Sequence, residues 1–367
     1  MWDVWMRRAL SLAALAAGRT SPNPLVGAVV LDADGRLVGE GFHARAGQAH
    51  AEVGALAQAG VAARGGTLIV TLEPCCHHGR TPPCSEAVQR AGIARVVVAL
   101  EDPDPRVAGG GITQLRQAGL EVITGVLREE AIEQNRSFLH RIRSGRPLGV
   151  LKWAMSLDGR TALPNGASQW ITGPPARAWV HQLRSRVDAV IVGGGTVRAD
   201  DPLLTSRGLR DPEPLRVVLS RSLDLPSQAR LWDVSAARTL IAHGPEEPDG
   251  SLPDGPESLS LKVCEPAALM EMLAQRGCNA VLWECGPELA AAAIRQGCVQ
   301  DVVGVVAPTL MGGVAARTPL ADLGFTAMDQ VDRNFFEPPQ QLGDDWLLQM
   351  RINAVAADKF QPEKVIE

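Results

Sequence analysis

Tyrosine is missing from all 367 residues, and aromatic side chains make up only 4% of the chain. A phenolic proton donor and a Tyr-lined stacking groove are thereby excluded. Lysine is scarce: only four of the 36 basic residues are Lys, and none precedes Lys152. Long apolar runs are lacking too, since stretches such as Ala13–Ala17 and Val96–Leu100 fall far short of the roughly 20 residues a membrane helix requires. Cysteine is sparse and odd in number, at seven, which argues against a disulfide framework and for a reducing, cytoplasmic setting. Nor is there a large excess of either charge. Net charge is −5; residues through Arg146 carry 16 Arg against 14 acids, and the remainder 20 basic residues against 27 acids. Neither half is basic enough for bulk nucleic-acid binding. These absences leave a globular protein that acts on small ligands, with neither nucleic acid nor membrane as partner.

What is present fits two domains. Hydrophobic residues are 46% and charged residues 21%, ordinary for folded domains of roughly 100–200 residues each. Arg7–Arg8 followed by Leu10 to Ala17 imitates a secretory leader. However, Trp2, Asp3 and Trp5 precede those charges, and Trp2, Trp5, Met6, Ala9, Leu12, Ala13 and Ala16 follow helical spacing, so an amphipathic helix over about 3–18 is expected. A hairpin follows, Val26–Leu31 and Leu37–Phe42 around the turn at Asp32–Gly35. Helical stretches at His50–Gly60, Ser85–Gly92 and Gly111–Gly119 then alternate with extended ones at Thr67–Thr71, Arg95–Leu100 and Leu120–Thr124, implying a sheet covered by helices on both faces. Glu129–Arg146 is charged and helix-prone, and the breaker cluster Ser144-Gly-Arg-Pro147 sets a domain boundary: 1–146 and 147–367. A second α/β series runs from the strand Leu148–Met155. Its helices are expected at Ala176–Arg186, Glu265–Gln275 and Glu288–Gln296. Its further strands are expected at Ala189–Val192, Leu215–Leu219, Thr239–Ala242, Ala280–Trp283 and Val302–Val306, with a loop over Gly244–Pro256.

The chemistry in the first half lies in His50-Ala-Glu52, Glu73-Pro-Cys75 and Pro82-Pro-Cys84. One imidazole and two thiolates suit zinc and leave a fourth tetrahedral position for water, whose pKa the metal lowers. Glu52, two residues past His50, fits the first turn of the same helix and can move a proton without binding the metal. The pattern H-x-E…P-C-x-x-C marks zinc deaminases. Here the cysteines are nine positions apart rather than three, so Gly79 and the prolines must fold the insertion back. Cys76 and His77 are rival ligands, and a closed structural zinc site with His77 as fourth ligand is the competing reading. Cys264, Cys278, Cys285 and Cys298 show no ligand spacing and read as core or surface thiols.

Longer strings narrow the choice. Thr20-Ser-Pro-Asn-Pro-Leu-Val-Gly27, the run Thr71–Cys84, Glu101-Asp-Pro-Asp-Pro105, Leu151-Lys-Trp-Ala-Met-Ser-Leu-Asp-Gly-Arg-Thr-Ala162, Ser168-Gln-Trp-Ile-Thr172, Gly194–Pro202 and Pro308-Thr-Leu-Met-Gly-Gly313 closely resemble the bifunctional deaminase/reductases of riboflavin biosynthesis over nearly the whole chain. The resemblance implies a cytidine-deaminase-like three-layer domain followed by a dihydrofolate-reductase-like α/β domain. It implies zinc and NADPH as cofactors and a homo-oligomer. The first reaction would replace the 2-amino group of 2,5-diamino-6-(5-phosphoribosylamino)pyrimidin-4(3H)-one with oxygen; the second would reduce the ribosyl group to ribityl. By the same resemblance His50, Cys75 and Cys84 hold zinc, Glu52 moves protons, and Asn23, His43, His77 and Arg80 meet the substrate. For Asn23 and His43 a turn-forming or packing role is the alternative.

In the second half no G-x-G-x-x-G follows a strand, so a Rossmann site is not supported. The cluster Val192-Gly-Gly-Gly-Thr-Val197 reads either as a plain loop or as a phosphate cradle. Family likeness implies that Ala154, Trp170, Thr196, Asp200 and the helix start Gly286-Pro287-Glu288-Leu289-Ala290 contact the dinucleotide. It likewise implies that Ser168, Arg184, Leu204, Arg207 and Glu284 hold the substrate, with Arg184 and Arg207 as a fork on its 5-phosphate. Lys152, alone in an apolar run, would pair with Asp158 or face the substrate sugar. Two departures stand out: Ser220-Arg221 where the family has an acid and a small polar residue, and Glu288 where Thr is common. Arg221 would then meet the cofactor 2′-phosphate, and Glu288 must point away from the pyrophosphate or pair with an Arg. They motivate a rival reading, a deaminase with a degenerate reductase half; another nucleoside or tRNA deaminase and a non-catalytic zinc protein are further rivals.

Overall fold

The computed structural model describes residues 2–77, 82–104, 107–245, 253–331 and 333–352. The chain divides into two compact units, Met1–Ser144 and Gly145–Glu367.

In the first unit, helix α1 (Trp2–Ala14) leads into β1 (Gly27–Leu31) and β2 (Leu37–Phe42). Then follow α2 (Ala51–Ala59), β3 (Thr67–Leu72), α3 (Cys84–Arg90), β4 (Arg95–Leu100), α4 (Gly110–Gln117), β5 (Glu121–Thr124), α5 (Arg128–Gln134) and α6 (Arg136–Ser144). The five strands lie in the order β2-β1-β3-β4-β5. β1 pairs antiparallel with both β2 and β3, while β3–β4 and β4–β5 are parallel. Strand periodicity sends alternate residues to opposite faces. Val30, Leu68, Val70, Val96 and Val98 pack with α2, α3 and α4, whereas Val29, Ile69, Val97 and Ala99 pack with α1, α5 and α6. Each such Val, Leu or Ile side chain taken from water contributes about 1.5–3 kcal/mol before conformational entropy is subtracted.

Two expected helices end differently. The first stops at Ala14 rather than 18, where i→i+3 bonds from Leu15, Ala16 and Ala17 tighten the chain and Gly18 takes a φ of +76°. The helix expected over 129–146 breaks at Asn135, whose amide bonds both main-chain groups of Leu25 at 2.8 and 3.0 Å. The placement of α2 depends on Gly41, because a Cβ there would meet the Ala51 carbonyl oxygen at 2.4 Å. Glycine therefore lets the helix that begins beside His50 lie directly on β2.

The second unit contains β6 (Leu148–Ser156), α7 (Pro174–Ser185), β7 (Ala189–Gly193), α8 (Gly194–Asp200), β8 (Leu215–Leu219), β9 (Thr239–His243), β10 (Glu257–Ser260), α9 (Pro266–Gln275), β11 (Ala280–Trp283), α10 (Pro287–Arg295), β12 (Asp301–Ala307), β13 (Phe335–Phe336), β14 (Gln340–Leu342) and β15 (Asp345–Arg351). The sheet order is β10-β9-β8-β7-β11-β6-β12-β15-β13, with β14 on β15. Pairing is parallel from β10 to β12 and antiparallel at β15. The central strands are near-continuous apolar runs because both faces are covered. Ile191, Val217, Leu240 and Val281 meet α9 and α10, while Val190, Val218, Ile241 and Leu282 meet α7 and α8. β10 escaped the sequence reading because Glu-Ser-Leu-Ser is a polar edge strand with three exposed residues. β13 to β15 also went unread, for Phe335 and Phe336 are exposed and β15 does not alternate cleanly.

Candidate active sites

The first site collects at the carboxyl ends of β3 and β4, where open α/β sheets bind their ligands. His50 stands at the N-cap of α2 with extended backbone, and Glu52 sits in the first turn. Cys75 follows β3, and Cys84 opens α3, its N–H donating to the Cys75 sulfur at 3.4 Å. His50 Nδ1 lies 3.2 Å from Cys84 Sγ and 3.6 Å from Cys75 Sγ, and the three ligand atoms all lie within 4.8 Å of one another. The rival ligands sit elsewhere: the Cys76 sulfur packs against Gly110, and His77 is exposed on the cavity wall. Arg80 lies outside the described residues.

The donor set fits zinc. Hydrogen bonding with Cys84, and further with His50, draws the Cys75 thiol down, and the same contact pushes Cys84 up. Glu52 is buried, and burial raises its carboxyl to about 6 against the pull of His50 and of a hydrogen bond with Cys84. A carboxyl tuned there exchanges protons readily near neutrality.

A cavity of about 370 Å³ opens beside these groups, lined among others by Asn23, His43, Glu52 and His77. Burial lowers the His43 pKa, keeping the ring neutral. With Nδ1–H donating to the Ala49 carbonyl at 3.1 Å, Nε2 accepts from the Asn23 amide at 3.0 Å. Asn23 also closes a turn through its N–H to the Thr20 carbonyl, so its turn-forming and cavity-lining placements coexist. The sequence reading gave no role to Glu73, which is buried and accepts N–H bonds from Asp102, Gly109 and Ile112 at 3.0–3.1 Å. It shapes the loop after β4. The only sequence signal was its position beside Pro74 and Cys75. Arg141 of α6 also lines this cavity and donates to the Pro22 carbonyl at 2.8 Å.

The second site is a larger cavity of about 1190 Å³ at the carboxyl ends of β6, β7 and β11. Among the expected cofactor residues, Ala154, Trp170, Thr196, Asp200 and Gly286 to Leu289 line it. Ala290 instead faces the core from α10, and Arg221 is absent from the lining, its Nε donating to the Cys264 carbonyl at 3.4 Å. Gly193 and Gly195 line it where β7 turns into α8, and Pro287 starts α10 with Gly286 as its N-cap, so two helix starts meet the cavity. Glu288 lies exposed in that first turn, where the positive helix end favours a carboxylate.

The expected substrate residues Lys152, Ser168, Arg184, Leu204, Arg207 and Glu284 all line this cavity. Ser168 donates to Asp200 at 3.1 Å. Arg184 is held by Glu284 through two bonds of 2.6 and 3.0 Å and donates a third, 3.1 Å, to the Thr205 carbonyl. The Nε/Nη2 edge of Arg184 is thus taken by a carboxylate, which fixes the guanidinium in the cavity wall. Burial would raise Glu284, but Arg184 and then Lys152 hold it at about 2. Lys152 is in turn lowered by burial and supported by Glu284. The alternative pairing of Lys152 with Asp158 is overturned, since Asp158 accepts from the Ser156 hydroxyl and from the Met311 and Gly312 N–H groups. Cys285, read as a core or surface thiol, lines the cavity, and burial pushes it up to about 12.

Comparison with known proteins bears on both units. Residues 2–100 match the model of the cytidine and deoxycytidylate deaminase zinc-binding region, and residues 147–348 that of the RibD C-terminal domain. The riboflavin biosynthesis protein RibD of Synechocystis sp. is 52% identical over 346 residues, 93% of this chain and 94% of that protein. RibD of Escherichia coli is 41% identical over 344 residues, 85% of this chain and 89% of its own. Among solved structures, a diaminohydroxyphosphoribosylaminopyrimidine deaminase/5-amino-6-(5-phosphoribosylamino)uracil reductase from Thermotoga maritima superposes with a TM-score of 0.87 at 34% identity, over 95% of this chain and 98% of that one. Acinetobacter baumannii RibD superposes at 0.86 and 40% identity over the same shares.

Proposed function

The chain belongs to the RibD family of bifunctional deaminase/reductases of riboflavin biosynthesis, and on that premise we propose which residues carry each of its two reactions. It is a zinc-dependent deaminase and an NADPH-dependent reductase in one polypeptide. We assign the deaminase to residues 1–146 and the reductase to 147–367. Its substrate is the 2,5-diamino-6-(5-phosphoribosylamino)pyrimidin-4(3H)-one, and its final product 5-amino-6-(5-phosphoribitylamino)uracil.

In the deaminase unit His50, Cys75 and Cys84 would hold zinc, which supplies activated water for hydrolysis. The single observation that carries this assignment is the convergence of one imidazole nitrogen and two sulfurs within 4.8 Å, beside the buried Glu52. Glu52 takes the proton of the attacking water on its carboxylate and delivers it to the departing amine. Asn23, kept in place by the neutral His43, reads the pyrimidine edge, and His77 and Arg80 serve the remainder of the substrate.

In the reductase unit NADPH would lie along the wall built by Ala154, Trp170, Thr196, Asp200 and the α10 start, and it supplies the hydride. Gly286 and Gly193 let main-chain N–H groups approach phosphate there. Glu284 and Lys152 face the sugar hydroxyls. Arg207 meets the 5-phosphate, with Arg184 beside it on the same cavity wall, one guanidinium edge anchored by Glu284. We place the protein in the cytoplasm and expect a homo-oligomer that uses neither nucleic acid nor membrane; among the described residues no helix is long and apolar enough to cross one.

The test uses one preparation and two readouts: ammonia release from the diamino substrate, and NADPH oxidation with the deaminated product. Both activities are expected from the full chain. Ammonia release without NADPH oxidation would support a degenerate second half instead.

A further inference from the structure

The segment joining α8 to β8 carries three non-glycine residues at positive φ: Asp201 at 38°, Leu204 at 57° and Arg207 at 58°. L-residues adopt this region at a cost and stay there when the surroundings hold them. Leu204 and Arg207 both line the larger cavity, so this segment is one of its walls.

Two charged side chains that lie outside the cavity lining hold that wall in place. Glu213 accepts from the Ser206 N–H at 2.6 Å with one carboxylate oxygen and from the Gly208 N–H at 2.8 Å with the other. A single carboxylate thus brackets Arg207 on both sides of its backbone. Further back, Arg216 is fully buried on β8 and donates only to main-chain oxygens. Those of Leu203 and Arg230, two cavity residues, lie at 3.4 Å, and those of Leu231, Asp233 and Ala237 at 2.6–3.0 Å. A buried guanidinium at the base of the segment and a bidentate carboxylate at its tip leave the chain around Arg207 little freedom.

We propose that Glu213 is a positioning residue of the reductase site, fixing the left-handed backbone of Arg207 so that its guanidinium is presented to the sugar phosphate before substrate arrives. The inference rests on the reading that Arg207 meets the 5-phosphate. Glu213 touches neither substrate nor cofactor; it removes the ordering cost that a mobile Arg would bring to binding. Glutamine cannot substitute, because it offers one carbonyl oxygen and sets an amide N–H₂ against a second N–H donor.

Full-length wild type, Glu213→Gln and Arg207→Ala are compared by NADPH oxidation, using 5-amino-6-(5-phosphoribosylamino)uracil and the same compound without its phosphate. Glu213→Gln is expected to raise KM for the phosphorylated substrate on the order of tenfold. Its kcat and its KM for NADPH should stay within about twofold. On the dephosphorylated compound the variant and wild type should coincide. Ammonia release should also be unchanged, reporting an intact first unit. An equal loss on both substrates would overturn the proposal, as mere damage to the fold does not distinguish them. So would an unchanged KM in Glu213→Gln alongside a raised KM in Arg207→Ala. If Arg207→Ala itself leaves KM unchanged, the phosphate reading of Arg207 falls and takes the proposal with it, a result distinct from the previous one. Should Glu213→Gln not fold, Glu213→Asp keeps the charge but is one methylene too short to reach both N–H groups, and the same outcomes apply.

Discussion

Each unit hides a carboxylate at the mouth of a parallel strand pair, and the two are tuned in opposite directions. Glu52 is raised to about 6 and Glu284 is held at about 2. Burial pushes both upward; the difference is the partner. Glu284 receives one edge of the Arg184 guanidinium on both its oxygens and feels Lys152, so its charge is neutralised where it forms. Glu52 has a hydrogen bond with a thiol and a nearby imidazole, which offset only part of the desolvation. One arrangement suits a group that must gain and lose a proton; the other suits a group that must stay ionised and hold a shape.

The comparison breaks first at Glu52. Replacing it by Gln should lower ammonia release by a factor of about 10²–10⁴ while zinc per chain stays unchanged. NADPH oxidation with the deaminated substrate should also persist. A Glu52→Gln protein that releases ammonia at the normal rate would remove the proton-carrying role. Next comes Arg184→Ala, which strands the Glu284 carboxylate in a site where it is only 11% exposed. About 3 kcal/mol of stability should be lost from the second unit, measured by denaturant unfolding, and Arg184→Ala with Glu284→Ala should recover part of it. Full additivity of the two changes would show that the pair is not coupled.

The smallest effect is in pH. Glu284 is lowered from 4.5 to about 2, so its contribution to stability is complete above about 4.5 and declines as pH falls towards 2. The difference in unfolding midpoint between wild type and Glu284→Gln should therefore stay flat down to about 4.5 and narrow below it. A difference that is constant through this window would contradict the assignment.

The first site was far more legible in the sequence than the second. His50 and Glu52 stand out by spacing and Cys75 and Cys84 by their Pro-marked turns, and the family resemblance favoured these over the rivals Cys76 and His77. Glu73 was passed over because a carboxylate that only receives main-chain N–H bonds leaves no spacing signature. In the second unit Lys152 drew notice as a lone charge in an apolar strand, whereas Arg216, near the start of β8, and Glu213, between two prolines, carry no spacing signature. Their partners are carbonyl and N–H groups brought in by tertiary contact.

Composition and periodicity by themselves determined the alternation of strands and helices and set His50 and Glu52 on one helix start, because each depends on neighbours within a turn or two. Only the folded chain decided that Arg184 belongs to Glu284, that Lys152 is not the partner of Asp158, and that Arg221 stands away from the cavity. Those choices are made between residues up to a hundred or more positions apart, and a side chain's partner over such a span is fixed by which strand ends the sheet order brings together.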